Sequence, residues 1–467
     1  MNFFKKVKNL FSKKETKKRY YKAASKSRPY DHWLASSNSP NAHLSELPTI
    51  RARANYLYWN EPFIKGAVET IINRMIGAGS VPQARTDNEE FNKNIEDLFK
   101  SWCEKADFYE QYHFGDIERV INLKLFLDGG CFIKKVIDNR RINPFCLEIL
   151  EYDRLSSNGT PKGKNQILHG VEIDVSTGAI VAYHFQTHYA QENYISVAKN
   201  VKRIPADALI HYSPFRRPGQ LLGIPLLTPA IPYAMNLSEI IEAELIAKKI
   251  EACFGVAIKT SDVYGRFQGF TDADEDGQRE IEIAPGMVEF LGPNEELEVI
   301  DPKRPGRNFK DFTYFILEGI ARSLGLSLEQ ITGDKSEVNY SSARHSEIEL
   351  RDYFKPFRLA DERYFLRPIW NLFVDYSILS KLVKIPDYEQ NRSKYIKHEW
   401  IFKGYDWVDP LKEIKAKSTE LEIGATTLSE ICAQKGKDWQ EIAKQRAKEK
   451  EFLKHLGLVD KEVLEKV

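Results

Sequence analysis

Ser341, Ser342 and His345 lie close enough in sequence to suggest a nucleophile beside its base. That chemistry also needs an orienting acid, and neither a GxSxG nor an SxxK pattern accompanies them. The serines read instead as caps for the first amides of a helix. His184 and His188 share one face of a strand, yet no carboxylate or cysteine completes a metal set. They read as a surface or interface pair. Asp272, Asp274, Asp276 and Gly277 open like a calcium loop, whose twelfth position must supply a bidentate glutamate. Here that position is Ile283, and Glu280 and Glu282 miss it, so the run reads as an acidic turn. It is a metal candidate only if several subunits brought it together around a divalent ion. Gly159, Gly163 and Lys164 approximate a phosphate loop, but the glycine spacing is short, the closing Ser or Thr is missing and no helix follows. Neither catalysis nor a cofactor is expected from these residues.

Arg344, Arg351 and Arg358 recur every seven residues and would form one basic stripe along a helix. Glu347, four residues before Arg351, offers intrahelical pairing. A stripe facing a neighbouring subunit or DNA is the alternative. The stripe begins at the end of a polar run, Gly333–Arg344 (GDKSEVNYSSAR), rich in turn formers. Long helices must hold that run. Before it, Phe309, Phe312, Ile316, Ile320 and Leu324 recur at helical spacing until Gly325; after it, Ile348, Phe354, Phe357, Tyr364, Phe365, Ile369, Trp370 and Phe373 mark a helical tract over 341–382, with kinks expected at Pro356 and Pro368. A loop anchored at both ends by long helices can be placed accurately.

Earlier in the chain, residues 44–80 read as two helices broken near Pro62, followed by helices at 88–104 and 111–128. From 131 to 215 short β-prone runs alternate with turn formers. A helix with a broad apolar stripe follows at 236–251, with Asn236 and Glu239 as its expected cap. Residues 254–300 return to short β runs, VAIKT, EIEIA, MVEFL and LEVID, and 410–465 are charged and helical. Helix, small β insertion, helix is an arrangement whose β module cannot bury a large core alone, which points to packing on copies of itself in a closed ring.

The 467 residues, 42% of them hydrophobic, suffice for extensive cores, and no run approaches the roughly 20 apolar residues that cross a bilayer. Lys5, Lys6 and Lys8 stand where a secretion signal needs apolar residues. Cys103, Cys131, Cys146, Cys253 and Cys432 are scattered and read as reduced thiols. The net charge of +1 hides an asymmetry: residues 1–30 hold eleven Lys and Arg against Glu15 alone, a surplus of ten, which leaves the remaining chain at −9. An acidic body does not grip nucleic acid by phosphate neutralisation, but it leaves room for DNA to slide past. In the basic arm, Phe3, Phe4, Val7, Leu10 and Phe11 fall on one helical face, fit for a membrane surface, nucleic acid or a partner protein, or the arm is a solvated tail.

GLSLEQITGD (325–334) followed by NYSSAR (339–344) resembles the lambda-type family of bacteriophage portal proteins. FRRPGQLLGIP (215–225) is similar to that family's entry to its first channel helix, and residues 49–82 to its N-terminal helical segment. The pattern Trp400, Trp407, Asp409, Pro410, Glu413, Gly424, Thr427, Glu430, Gly436, Gly457 resembles its C-terminal region. The resemblance implies an α+β protomer of a dodecameric ring at one capsid vertex. Its parts would be a basic arm at 1–28, a mixed α/β wing at 29–228, stem helices at 229–252 and 308–332, a small β clip at 253–307, a channel loop at 333–341, a long wing helix with a β return at 342–409, and a helical crown at 410–467. Lys335, Glu337, Asn339 and Tyr340 would line the channel, where a mixed-charge loop touches phosphates weakly and reversibly. The implied partners are double-stranded DNA, the large terminase subunit, head–tail connector proteins and the major capsid or scaffold protein, in the virion and in the host cytoplasm during assembly. No stable membrane association is expected. The rival readings are a DNA-processing enzyme of a mobile element and a membrane-associated scaffold recruited by the arm.

Overall fold

The computed structural model describes residues 39–187, 201–214, 216–252, 256–260, 295–299, 309–336, 340–404 and 410–456. Helices dominate an α+β fold with antiparallel sheets. Helix α1 (Leu47–Asn60) stops where Glu61 turns extended, and its carboxylate caps α2 (Pro62–Met75) by accepting from Ile64 N at 2.7 Å. Proline in the first turn costs nothing, because its missing N–H has no intrahelical partner there anyway. Asn88 caps α3 (Glu89–Cys103) and His113 caps α4 (Phe114–Leu127).

Strand β1 (Val81–Ala84) pairs antiparallel with a strand more than three hundred residues later, β11 (His398–Ile401), closing the body on itself. Between them, β2 (Cys131–Ile137) is flanked by β3 (Phe145–Leu150) and β8 (Leu209–Tyr212). A four-stranded sheet runs in sequence order through β4 (Gln166–Leu168), β5 (Val171–Ile173), β6 (Ile180–Gln186) and β7 (Val201–Pro205). Strands β4 and β7 were not among the runs read from sequence; both are short, and β7 carries charged Lys202 and Arg203.

Helix α5 (Ile231–Ala252) starts five residues before the expected cap, since Pro232 suits a first turn, and Asn236 sits inside the helix. Strands β9 (Val256–Thr260) and β10 (Glu295–Val299) pair antiparallel. The expected runs EIEIA and MVEFL lie outside the described residues. Helix α6 (Phe309–Ser323) ends before Gly325, whose φ of +71° reverses the chain into the short α7 (Leu328–Thr332). Two helices therefore occupy the span read as one element over 308–332.

Helix α8 (Tyr340–Asp361) keeps Pro356 in its interior. It then widens into a π turn, Glu362–Leu366, where Arg367 N–H reaches back to the Glu362 carbonyl, before α9 (Arg367–Leu379) begins. Pro368 has no N–H for the carbonyl four residues back, and the wider turn falls where that bond would be missing. The chain completes with α10 (Tyr388–Tyr395), then α11 (Pro410–Glu422), α12 (Leu428–Gln434) and α13 (Trp439–His455).

The main core gathers α1–α4, α6, α8 and α9 around aromatic rings. Phe99 lies 5.4 Å from Trp370 and 5.0 Å from Phe373, and Trp400 of β11 closes the cluster. A second core joins β2, β6 and β8 through Phe132, Tyr152, Tyr183 and Phe185. Cys103, Cys131, Cys146 and Cys432 are buried and unbridged, and burial pushes their thiols up.

Candidate functional site

Helices α5 and α6 lie against each other in opposite directions. Tyr233 near the start of α5 meets Gly319 near the end of α6, where an added Cβ would stand 3.0 Å from the ring; Ile240 shares a pocket with Phe312. The pair buries Leu237, Ile316 and Ile320 but leaves a second apolar face in the open: Phe315 is 66% exposed, and Leu245, Ile246 and Phe312 are also exposed.

The loop read as channel-facing leaves this hairpin through a short, tightly made corner. Ser327 N–H donates to Gln330 Oε1 at 3.0 Å at the start of α7, and Gly333 ends it with a φ of +73°. Asp334 fixes the loop's root: its carboxylate accepts from Tyr314 Oη on α6 at 2.9 Å and from Ser336 N at 2.9 Å. Those donors, with Lys310 nearby, hold the carboxyl down at about 2. Glu329 on α7 accepts from Ser346 on α8 at 2.7 Å, so both ends of the loop are tied to one corner. Lys335 is exposed just beyond Asp334. Glu337 and Asn339 lie outside the described residues, and of Tyr340 only its place at the start of α8 is described.

The arginine stripe follows α8 inward. Arg344 is half-buried. Glu347 takes an ion pair from Arg74 on α2, while Arg351 Nε stands 4.0 Å from the same carboxylate. Arg358 works within the protomer: Nε donates to the Met75 carbonyl at 3.0 Å, and Nη2 to those of Arg74 and Lys403 at 3.2 and 2.8 Å. Those carbonyls belong to the C-terminal end of α2 and the strand return, so the guanidinium caps a helix.

Below Arg358 sits a buried acidic network that no short-range sequence pattern announces. Asp361 accepts from Asn122 Nδ2 at 2.9 Å and from the Tyr212 hydroxyl. Glu118 accepts from Ser80 N and Oγ at 2.7 and 2.6 Å. Burial raises both carboxyls, Glu118 to about 7 and Asp361 well above its ordinary range, with Arg358 pulling each back. Four elements meet here, α4, β8, α8 and the segment before β1.

The other chemical candidates separate. Ser341 and Ser342 fall inside the first turn of α8 rather than before it, and His345 Nε2 faces exposed Glu349 Oε1 at 3.3 Å. His184 is not at the surface. It is buried, its Nε2 is 2.8 Å from Glu172 Oε2, and Arg203 Nε donates to that same oxygen at 2.7 Å. The carboxylate missing from the sequence pattern comes from the neighbouring strand twelve residues earlier. Asn165 Nδ2 and Lys162 N also donate to Glu172 Oε1, so the Gly159–Asn165 run is a loop clasped to the sheet. His188, Asp272, Asp274 and Asp276 lie outside the described residues. Among the described residues no three His, Cys, Asp or Glu gather as metal ligands, and no helix is long and apolar enough to cross a membrane.

Residues 26–358 match the family model of the phage portal protein, lambda family. The chain belongs to this family. The match takes in the α5–α6 hairpin, the corner at Gly333 and almost all of α8. The probable portal protein of Halomonas phage phiHAP-1 is 27% identical to this portal chain over 464 residues, covering 96% of it and 89% of the relative. Portal protein B of Escherichia phage lambda is 26% identical over 174 residues, covering 36% of this chain and 33% of the relative. A chain from the neck of an empty gene transfer agent particle aligns with 84% of this chain and 94% of its own length, at a TM-score of 0.47 and 13% identity.

Proposed function

We propose that this portal protein forms a ring at one capsid vertex through which double-stranded DNA is packaged and ejected. The observation that carries the reading is the family match over 26–358, because it spans the elements that would build a channel. In this reading α5 and α6 are stem helices, and their exposed apolar residues, Phe312, Phe315, Leu245 and Ile246, pack on neighbouring copies. The loop after Gly333 repeats once per subunit around the channel, with Lys335, Glu337, Asn339 and Tyr340 facing DNA. A ring of twelve is the expected stoichiometry. The β9–β10 module lies in the clip, which would dock the large terminase subunit during packaging and head–tail connectors afterwards. The major capsid or scaffold protein would surround the wing. The chain has no chemistry of its own to perform; energy for translocation comes from the terminase.

Replacing residues 335–340 with a short Gly-Ser linker tests the channel role. Rings seen by negative stain should persist while packaging or DNA retention falls. Normal full-length packaging by that variant refutes the loop's role, and discrete monomers of the parent protein in the microscope refute the ring.

A further inference from the structure

A cleft of about 990 Å³ opens between β1, α3, the His113 corner and α13. Its floor is apolar, with Phe99, Phe114, Ile401 and Ile442, and Val81 at its edge is 60% exposed. Its walls are acidic: carboxylates outnumber the cations Lys100, Lys437 and Arg446 two to one. Asp97, Glu104 and Glu441 are exposed on the rim, and Glu96 feels both Asp438 and Glu441. A second observation is independent of charge. Gln83 lines the cleft and is only 6% exposed, yet its Nε2 finds no acceptor among the described residues. A buried amide donor without an acceptor is unfavourable, and an acceptor oxygen carried into the cleft by a ligand would satisfy it.

We propose that this cleft binds the basic N-terminal arm, residues 1–28, of the same or a neighbouring copy. The arm carries eleven Lys and Arg against one acid, and Phe3, Phe4, Val7, Leu10 and Phe11 are spaced as an amphipathic helix would space them. A cationic segment with an aromatic edge complements an acidic cleft with an apolar floor. The reach is ample. The chain enters the described body at Asn41, bonded to Gly219 and Leu221, and Gly223 just beyond abuts Gly129 at the C-terminal end of α4. The cleft lies at the other end of α4, where Gly115 abuts Ala78 and Gly79. That helix is about 21 Å long at 1.5 Å per residue. The ten residues 29–38 that join the arm to the body span about 33 Å when extended, at roughly 3.3 Å each. Tethering makes the encounter effectively intramolecular, at millimolar local concentration.

A photo-crosslinking phenylalanine analogue at position 4 or 11 of the full-length protein tests the assignment, with cross-links mapped by mass spectrometry. Cross-links should land in residues 81–104 or 437–449. Asp97→Lys, Glu104→Lys and Glu441→Lys together should cut their yield at least tenfold, as should Lys5→Glu, Lys6→Glu and Lys8→Glu. Combining both sets should restore the yield, a rescue that misfolding could not produce. Cross-links elsewhere on the chain overturn the proposal. So does loss without rescue, or transfer of the arm to duplex DNA or anionic vesicles with no cleft products.

Discussion

Arg358→Ala measures whether the stripe's last arginine works inside the protomer or between copies. The substitution removes three bonds from a charged donor to the carbonyls of Arg74, Met75 and Lys403, and the stacking of the guanidinium 5.5 Å over Phe402. Hydrogen bonds of a charged group contribute roughly 1.5–3 kcal/mol each when well buried. Arg358 is half-buried, so water takes up part of the loss, and about 2 kcal/mol in total is the working figure. The cost is local, because the freed carbonyls end α2. Amide exchange at residues 72–77 should therefore accelerate about thirtyfold, from 1.4 kcal/mol per factor of ten. Arg358→Lys, which keeps charge but not the fork, should fall between parent and alanine variant. Exchange by Arg358→Ala within threefold of the parent, together with lost ring assembly by native mass spectrometry, refutes the intramolecular assignment.

Glu172→Gln places an amide among donors from Arg203, Asn165, His184 and Lys162, and should cost about 2–3 kcal/mol, reduced from a fully buried pair because the Arg203 side chain is 31% exposed. Its partners hold Glu172 below the usual carboxylate range despite burial, so the contribution is complete above the ordinary value near 4.5 and fades as pH falls; urea unfolding at pH 7 and at acid pH should show the difference between parent and variant shrinking. Glu118 has the opposite sign. Its carboxyl is raised to about 7, so the fold favours the neutral form, and stability present below about 4.5 is lost as pH rises through 7. Glu118→Gln should flatten the melting temperature between pH 5 and 8, and an unchanged pH slope would reject this. Gly325→Ala must hold φ at +71° against the Tyr353 ring, and should cost more than about 1 kcal/mol in thermal unfolding.

The helices were legible because local rules fix them. Pro62 with Glu61 before it, the apolar stripe of α6 and the stop at Gly325 are all written within a few residues. What stayed hidden depends on partners distant in sequence. Nothing near Val81 announces His398–Ile401 as its strand partner. His184 looked polar and exposed because alternation reports which face a residue takes, while burial of a charged cluster depends on Glu172 and Arg203 arriving from adjacent strands. The acidic pair Glu118 and Asp361 is the same case across a much longer separation. The early start of α5 was readable from Pro232, since proline belongs in a first turn, but the Asn236–Glu239 spacing imitated a cap.

Helix α8 is held unevenly, and that bears on how the loop would respond to DNA in the proposed channel. Its inner half carries Arg358 against α2, Asp361 against α4 and β8, and Phe354 and Phe357 in the core. Near the loop, the ties are Ser346 to Glu329 and Glu347 to Arg74. The corner before the loop contains Gly325 and Gly333, both at positive φ, with Asp334 gripping Tyr314 between them and Lys335. A load on Lys335 therefore meets a fixed root at Asp334 and a fixed helix beyond Glu347. In the proposed ring, a displacement of Lys335 is therefore bounded by these two ties and does not reach the buried acids at Asp361.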